Sequence, residues 1–177
     1  GRPMQPQPIL VAGIGNIFLG DDGFGCEVLG QWLAKGVPAQ VQAVDFGIRG
    51  YDLACALAGH LGPAILVDAT PRGEAPGTVC LLELELDALG PAAQGGLDAH
   101  SLDPVQVLRM AKGLGARPER LYLLGCEPAD LGGEAGRLGL SRPVEAAVPA
   151  AIQRLEALVA SLNLGRVSPS HFGVTPP

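Results

Sequence analysis

The chain has 177 residues, a length that fits one α/β domain with a substantial buried core. Hydrophobic residues make up 47% of the chain and charged residues 17%, which excludes an intrinsically disordered protein. The net charge of -6 argues against nucleic acid or an anionic membrane as the main partner, because both would repel the protein.

No apolar stretch of the sequence approaches the ~20 residues that a membrane span requires, and no secretory signal precedes the first predicted strand. We therefore expect a cytoplasmic protein with no membrane partner. Residues 1–3 precede Met4 and are interpreted as additional residues that are not native to the protein. Residues 165–177 are rich in Ser and Pro and are interpreted as a flexible tail. Residues 4–164 are predicted to form a single domain.

The predicted elements alternate between strands and helices along the chain. Apolar runs predict strands at about 9–13, 40–45, 64–68, 78–83 and 120–125, and helical patterns predict helices at about 23–35, 50–57, 104–110 and from 141 onward. The gap before the fourth strand is too short for a crossover helix, so this strand is expected to pair antiparallel at an edge or to follow a loop excursion. The predicted fold class is α/β, a three-layer αβα sandwich with a mostly parallel five-stranded sheet.

A glycine-rich loop with two adjacent acids joins the first strand to the first helix. Its sequence, G-I-G-N-I-F-L-G-D-D-G-F-G at 13–25, brings Asp21 and Asp22 to the carboxyl end of a buried strand, where open α/β sheets bind ligands. Two carboxylates on one short turn suit a cation or acid–base chemistry. The alternative is helix capping, since an acid at this position accepts hydrogen bonds from free N–H groups.

Other ionisable residues follow the predicted strands at the same edge of the sheet. Asp45 ends the second strand, Asp68 ends the third, and His100 precedes the helix that starts near Asp103. Asp68 is the most informative, because an acid that ends a wholly apolar strand needs a cation, a hydrogen-bond donor or solvent. The alternatives are that Asp68 caps its own loop and that His100 is a solvated loop residue.

Asp22, Asp68 and His100 together offer two oxygen ligands and one nitrogen ligand. This set suits nickel, zinc, cobalt or manganese. Because three protein ligands leave coordination positions open, the set is typical of a catalytic or substrate-receiving site and not of a closed structural one.

Five sequence blocks occur in a defined order between Ile9 and about Leu162. They are the loop at 13–25, V-D-F-G-I-R-G at 44–50, L-V-D-A at 66–69, A-H-S-L-D-P at 99–104, and G-C-E-P with G-L-S-R-P-V-E-A-A-V between 125 and 148. In order and spacing, the blocks resemble the nickel-iron hydrogenase maturation endopeptidases.

The resemblance implies a cytoplasmic hydrolase with aspartic-type endopeptidase activity that removes the C-terminal extension of a hydrogenase large-subunit precursor after nickel insertion. It also implies that Asp22, Asp68 and His100 are the metal-binding and catalytic residues, and that the nickel is that of the precursor. The first acid is Glu in some members, so Asp22 is one methylene shorter. The family often has Gly-Thr where this chain has Gly47-Ile48, so any role of that hydroxyl is absent here.

The loop after the second strand is predicted to contact the precursor, because it leaves the same sheet edge as the acids. Its glycines let an extended peptide approach, and the Arg49 guanidinium can hold a carbonyl or carboxylate group. The alternative for Arg49 is a surface arginine paired with Asp52. The substrate-binding residues predicted in this loop are Asp45, Gly47, Ile48, Arg49 and Gly50.

Two other functions remain open. A non-catalytic nickel-binding chaperone or scaffold would use the same ligands without cleavage. A nucleotide-binding module is suggested by Gly13-Ile14-Gly15, but Phe18 occupies the third glycine position of that fingerprint, and Asp45 follows later than its ~20-residue spacing.

The sequence contains no other motif of a protease. It has no G-x-S-x-G elbow and no H-E-x-x-H helix, so a metal-polarised carbonyl or a metal-bound water is the remaining route to peptide cleavage. The four cysteines form no C-x-x-C pair and are interpreted as small core residues.

Overall fold

A computed structural model of the protein describes residues 7–90 and 103–167. In this part of the chain the predicted strands and helices are confirmed, with bounds that differ by a few residues. The strands are β1 (Ile9–Ile14), β2 (Val41–Gly47), β3 (Ala64–Ala69), β4 (Val79–Leu84) and β5 (Leu121–Cys126). The α-helices are α1 (Phe24–Lys35), α2 (Gly50–Ala58), α3 (Pro104–Gly113) and α4 (Arg142–Val167), and short 3-10 turns lie at Gly20–Gly23 and Leu86–Ala88.

The five strands form one sheet in the order β2-β1-β3-β5-β4. All neighbouring pairs are parallel except β4 and β5, so the predicted fold class and the antiparallel edge strand are confirmed. From β1 the chain moves to β2 on one side, whereas β3 lies on the other side of β1. This reversal of strand order puts a topological switch point at the carboxyl ends of β1 and β3, the place where such sheets bind ligands, and we call this region the crevice.

Helices cover both faces of the sheet. Odd-numbered residues of β1 such as Val11 pack with α1 and α4 around Trp32, and even-numbered residues such as Ala12 pack with α2 and α3 around Leu53 and Leu108. The alternation follows from the two-residue period of a strand. Because both faces are covered, β1, β3 and β5 are buried along their whole length, which explains their continuous apolar runs.

Glycines let α1 begin directly against the carboxyl ends of β1 and β3. A Cβ atom at Gly25 would collide with the carbonyl oxygens of Val67 and Ile14, and one at Gly15 with the carbonyl oxygen of Asp22. Gly15 also has a φ of 141°, which other residues rarely adopt. The loop between β1 and α1 is therefore held close to the crevice.

The two later helices begin as the sequence predicts. Asp103 caps α3, since its Oδ1 accepts a hydrogen bond from the N–H of Val105 at 2.9 Å, and Pro104 takes the first helical position. The last helix, α4, extends to Val167, three residues into the segment predicted as a tail. The predicted additional residues 1–3, His100 and residues 168–177 lie outside the described residues. Among the helices that are described, none is long and apolar enough to cross a membrane.

The prediction that all four cysteines are core residues is wrong for one of them. Cys26 and Cys126 are buried, and Cys80 is half-buried on the edge strand β4. Cys55 is exposed because it lies on the side of α2 that faces away from the sheet, while Leu53, Ala54 and Leu57 of that helix are buried.

Candidate functional site

Asp22 and Asp68 lie on either side of the crevice between β1 and β3. Asp22 belongs to the 3-10 turn that follows β1, and Asp68 is the second-last residue of β3. The charge on Asp22 contributes to raising the pKa of Asp68, so the two carboxyl groups are close enough to interact. The structure thus brings together two of the three predicted ligands, and the third, His100, lies outside the described residues.

Asp68 is a buried acid whose hydrogen bonding is incomplete. It is 2% exposed, and among the described residues its Oδ1 atom has no hydrogen-bond partner. Burial raises its pKa well above the usual range, and the charges of Asp22 and Asp103 raise it further, while the backbone N–H of Ala69 opposes them. A carboxylate in this position gains strongly from a bound cation or proton.

Asp22 keeps part of its carboxylate available. Its Oδ2 atom accepts the backbone N–H of Asn16 at 2.8 Å, a bond that folds the glycine-rich loop back on itself. Burial raises the pKa of Asp22 and this hydrogen bond lowers it, with burial the larger effect. Neither acid caps α1 through its side chain, because α1 starts after Gly23 without a side-chain hydrogen bond at its cap, and both acids lie in the preceding 3-10 turn.

Asp21, the other acid of the pair, points into a different environment and is completely buried. Its Oδ2 accepts the backbone N–H groups of Ala129 and Asp130 at 2.8 and 2.9 Å and the Ser141 hydroxyl at 2.8 Å, and its Oδ1 accepts the Ser141 N–H at 2.7 Å. Burial alone would raise the pKa of Asp21, but these hydrogen bonds outweigh it and the pKa is lowered. The sequence contains no local signal for these distant partners.

Cys26 borders the acid pair, a placement that the sequence analysis missed. Its Sγ donates a hydrogen bond to the carbonyl oxygen of Gly15 at 3.5 Å. Burial raises the pKa of this thiol far above its usual range, and Asp45, Asp68 and Asp22 raise it further. The spacing of four residues between Asp22 and Cys26 could have indicated their proximity, since such residues are neighbours on a helical surface. A neutral thiol of this kind is a poor nucleophile.

The predicted substrate loop leaves β2 at the same edge. Gly47 adopts a φ of 57°, and its N–H donates to the Asp45 carboxylate at 2.9 Å. Arg49 folds back over this loop and donates to the carbonyl oxygens of Asp45 and Phe46 at 2.9 and 3.2 Å. Its Nη1 lies 3.6 Å from the carboxylate of Asp52, so the pairing that the sequence left open is present.

Cavity size does not mark the acid pair. A cavity of about 500 Å³ lies at the opposite edge of the sheet and is lined by residues 83–87 and 116–121. A cavity of about 250 Å³ adjoins the glycine-rich loop, between Ile17, Glu27 and Glu145. Within residues 7–90 and 103–167, no group of three or more His, Cys, Asp or Glu side chains is placed to hold a metal ion. The described part of the site is therefore a carboxylate pair.

Comparison with known proteins gives one consistent result. A family model described as hydrogenase maturation protease matches residues 30–158. The chain is 33% identical, over an alignment of 181 residues, to the hydrogenase expression/formation protein HupD of Rhizobium leguminosarum bv. viciae, covering 99% of this chain and 87% of the relative.

Two solved structures extend the likeness to the fold. The hydrogenase 2 maturation peptidase from a Thaumarchaeota archaeon is 33% identical with a TM-score of 0.63, over 86% of this chain and 98% of that chain. The hydrogenase maturating endopeptidase HybD from E. coli is 26% identical with a TM-score of 0.68, over 88% of this chain and 93% of that chain. The likeness spans the domain that carries Asp22 and Asp68.

Proposed function

The chain belongs to the hydrogenase maturation protease family, and we propose that it removes the C-terminal extension of a hydrogenase large-subunit precursor after nickel insertion. Family membership makes it a hydrolase of peptide bonds. The observation that carries the finer proposal is the buried carboxyl group of Asp68 beside Asp22, because this pair can recognise a cation that the precursor brings to the crevice.

In this proposal Asp22, Asp68 and His100 bind the nickel of the precursor and form the catalytic site. Two carboxylate oxygens and one imidazole nitrogen suit nickel. The orphaned Oδ1 of Asp68 supports the assignment, since a buried carboxylate oxygen without a donor is suited to a cation. Asp103, where the segment that carries His100 rejoins the described chain, contributes to the raised pKa of Asp68 and therefore lies near it.

The chemistry assigned to the acid pair follows from its charges. Burial and the neighbouring Asp22 favour a proton on Asp68 in the free protein, and an incoming cation would replace that proton. Bound nickel supplies recognition of the loaded precursor and a Lewis acid for the scissile carbonyl. Asp22, from the turn after β1, and Asp68, from β3, would hold the nickel at one edge of the sheet, which would place the scissile bond against a rigid part of the fold.

The loop after β2 is assigned to the precursor chain. Asp45 and the segment 47–50 leave the edge that carries the acid pair, and the φ of Gly47 keeps this turn tight. The ion pair between Arg49 and Asp52 is more than half exposed on both sides, so it costs little to break. The Arg49 guanidinium can then bind a carbonyl or carboxylate group of the precursor.

The test is cleavage of nickel-loaded and nickel-free precursor, followed by the mass of the precursor. We expect the loaded precursor to lose its C-terminal extension and the nickel-free precursor to stay intact. Asp68→Asn should abolish cleavage, and Asp87→Asn, an exposed acid far from the crevice, should not. If the protein binds the nickel-loaded precursor tightly and the precursor loses no mass, the protein is a nickel-binding chaperone and the proposal is overturned. Equal cleavage of both precursors would overturn nickel recognition.

A further inference from the structure

We propose that Asp21 is a positioning residue that holds Asp22 in the crevice by fastening the glycine-rich loop to the segment between β5 and α4. We call the Asp21 carboxylate, the N–H groups of Ala129 and Asp130, and the N–H and hydroxyl of Ser141 the Asp21 latch. The inference rests on the proposed function, because it assumes that Asp22 belongs to the catalytic site.

The Asp21 latch joins parts of the chain that are far apart in sequence. Its partners lie 108 to 120 residues after Asp21, and four donors converge on the two oxygens of one carboxylate. The latch is shielded from water, since Asp21 is 0% exposed and Ser141 is 7% exposed. Hydrogen bonds to a charged, buried acceptor are among the strong ones in proteins. The latch therefore fixes the position of residue 21 tightly.

Backbone contacts on both sides of Asp21 act in the same direction. The N–H groups of Gly20 and Asp21 donate to the carbonyl oxygens of Arg137 and Asp130, both at 2.8 Å, and the N–H of Arg137 donates to Phe18 at 2.9 Å. Gly20 has a φ of 58°, and a Cβ atom there would lie 2.5 Å from the carbonyl oxygen of Asp130. These contacts restrict the backbone of the glycine-rich loop where it enters the 3-10 turn. Because Asp22 is the next residue, the position of Asp21 determines that of Asp22.

The two adjacent acids thus have different roles. Among the described residues, the hydrogen bonds of the Asp21 carboxylate all run to the segment 129–141, and both of its oxygens are engaged there. Within the described chain, the carboxylate of Asp22 accepts one hydrogen bond, from the N–H of Asn16, and its charge acts on Asp68. A displacement of Asp22 by ~1 Å would be enough to slow a reaction that depends on its placement.

The experiment compares three variants of the full chain. Ser141→Ala removes one donor of the Asp21 latch and leaves three backbone N–H groups in place, whereas Asp21→Asn removes the charge and sets an amide N–H against a donor. Ser161→Ala is the matched control, because Ser161 is an exposed hydroxyl in α4. For each variant, kcat and KM are measured on nickel-loaded precursor below its Tm, and the affinity for Ni²⁺ alone is measured by calorimetry.

We expect Asp21→Asn to lower kcat by ~10- to 100-fold and to weaken Ni²⁺ binding by a similar factor. Changes to residues that position a metal ligand typically have effects of this size. Ser141→Ala should show smaller losses of the same kind, and Ser161→Ala should match the unmodified protein. If Asp21→Asn does not fold, Ser141→Ala decides the outcome.

Three results would overturn the proposal or separate it from the proposed function. Folded Ser141→Ala and Asp21→Asn proteins with unchanged kcat and Ni²⁺ affinity would make the latch purely structural. A rise in KM alone would assign the latch to precursor docking. If the unmodified protein fails to cleave the precursor, the proposed function fails, and the Ni²⁺ affinities of the variants still test the latch.

Discussion

The carboxyl group of Asp68 is buried, so removing its charge should abolish cleavage without reducing the stability of the protein. We expect Asp68→Asn to abolish cleavage while the free energy of unfolding stays equal or rises by up to about 2 kcal/mol, because the desolvated carboxylate is relieved. Urea unfolding measures the stability, and the mass of the precursor measures the cleavage. Loss of folding together with cleavage would instead assign Asp68 a structural role.

The raised pKa of Asp68 predicts a pH dependence with a defined sign. A carboxyl group whose pKa is higher in the folded than in the unfolded state binds its proton more tightly when folded. The unmodified protein should therefore gain stability relative to Asp68→Asn as the pH falls from about 8 toward the ordinary carboxyl range near ~4. Urea unfolding of both proteins across this range gives the difference and cancels the other acids. A difference that stays constant with pH would contradict the buried environment of Asp68.

Arg49 is predicted to bind the precursor and not the metal. Arg49→Ala should raise KM about tenfold, the cost of a hydrogen-bonded charged contact, with kcat and Ni²⁺ affinity unchanged. Arg49→Lys should restore part of the affinity, since lysine keeps the charge and loses the two-pronged geometry. The control is Arg117→Ala, an exposed arginine at the opposite edge of the sheet. Unchanged KM in Arg49→Ala would leave the loop as a connector.

At the scale of single elements, α1 offers a matched pair of glycines. A Cβ atom at Gly25 would collide with backbone carbonyls of β1 and β3, whereas at Gly30 it would meet no atom of the described chain within 4 Å. We expect Gly25→Ala to destabilise the protein by about 1–3 kcal/mol by forcing α1 off the sheet. Gly30→Ala should stabilise it by about 0.5–1 kcal/mol, because alanine costs less helix entropy. Thermal and urea unfolding give both values, and equal effects would contradict the close approach.

The strands and helices were predictable because their signals are local. The runs before Gly13 and ending at Asp68 show buried strands, and Asp103 before Pro104 marks a helix start. The topology of parallel strands then indicated that Asp22 and Asp68 would meet at one edge. The sequence could not show that Asp21 bonds to the segment 129–141 while Asp22 lies near Asp68, because the partners of Asp21 are 108 to 120 residues away.

At the scale of the whole molecule, the chain that follows β5 makes hydrogen bonds to two loops, the one that carries Asp22 and the one that follows Asp68. The Asp21 latch fastens the loop of Asp22. Glu127, buried directly after β5, accepts the N–H groups of Arg72 and Gly73 at 2.7 and 3.3 Å and so fastens the loop that follows Asp68. Two buried carboxylates thus connect the two loops of the acid pair to the chain that follows β5, and local opening of the site should require the loss of these contacts.

This organisation makes a final prediction about thiol reactivity. The thiolate is the form that reacts, and burial raises the pKa of Cys126 to about 11 and that of Cys26 even further. In the native protein at about pH 8, near the ordinary thiol pKa, iodoacetamide should label exposed Cys55 first and Cys80 more slowly, and should leave Cys26 and Cys126 unmodified.

Peptide masses after digestion identify the labelled residues, and labelling in concentrated urea, where all four cysteines should react, is the control. Both thiols are buried. If the buried contacts are lost only when the whole protein unfolds, the two thiols should therefore become reactive together at low concentrations of urea. Labelling of Cys26 at the rate of Cys55 while Cys126 stays protected would show that the loop between β1 and α1 opens alone. In that case the Asp21 latch would not hold the glycine-rich loop in place in solution.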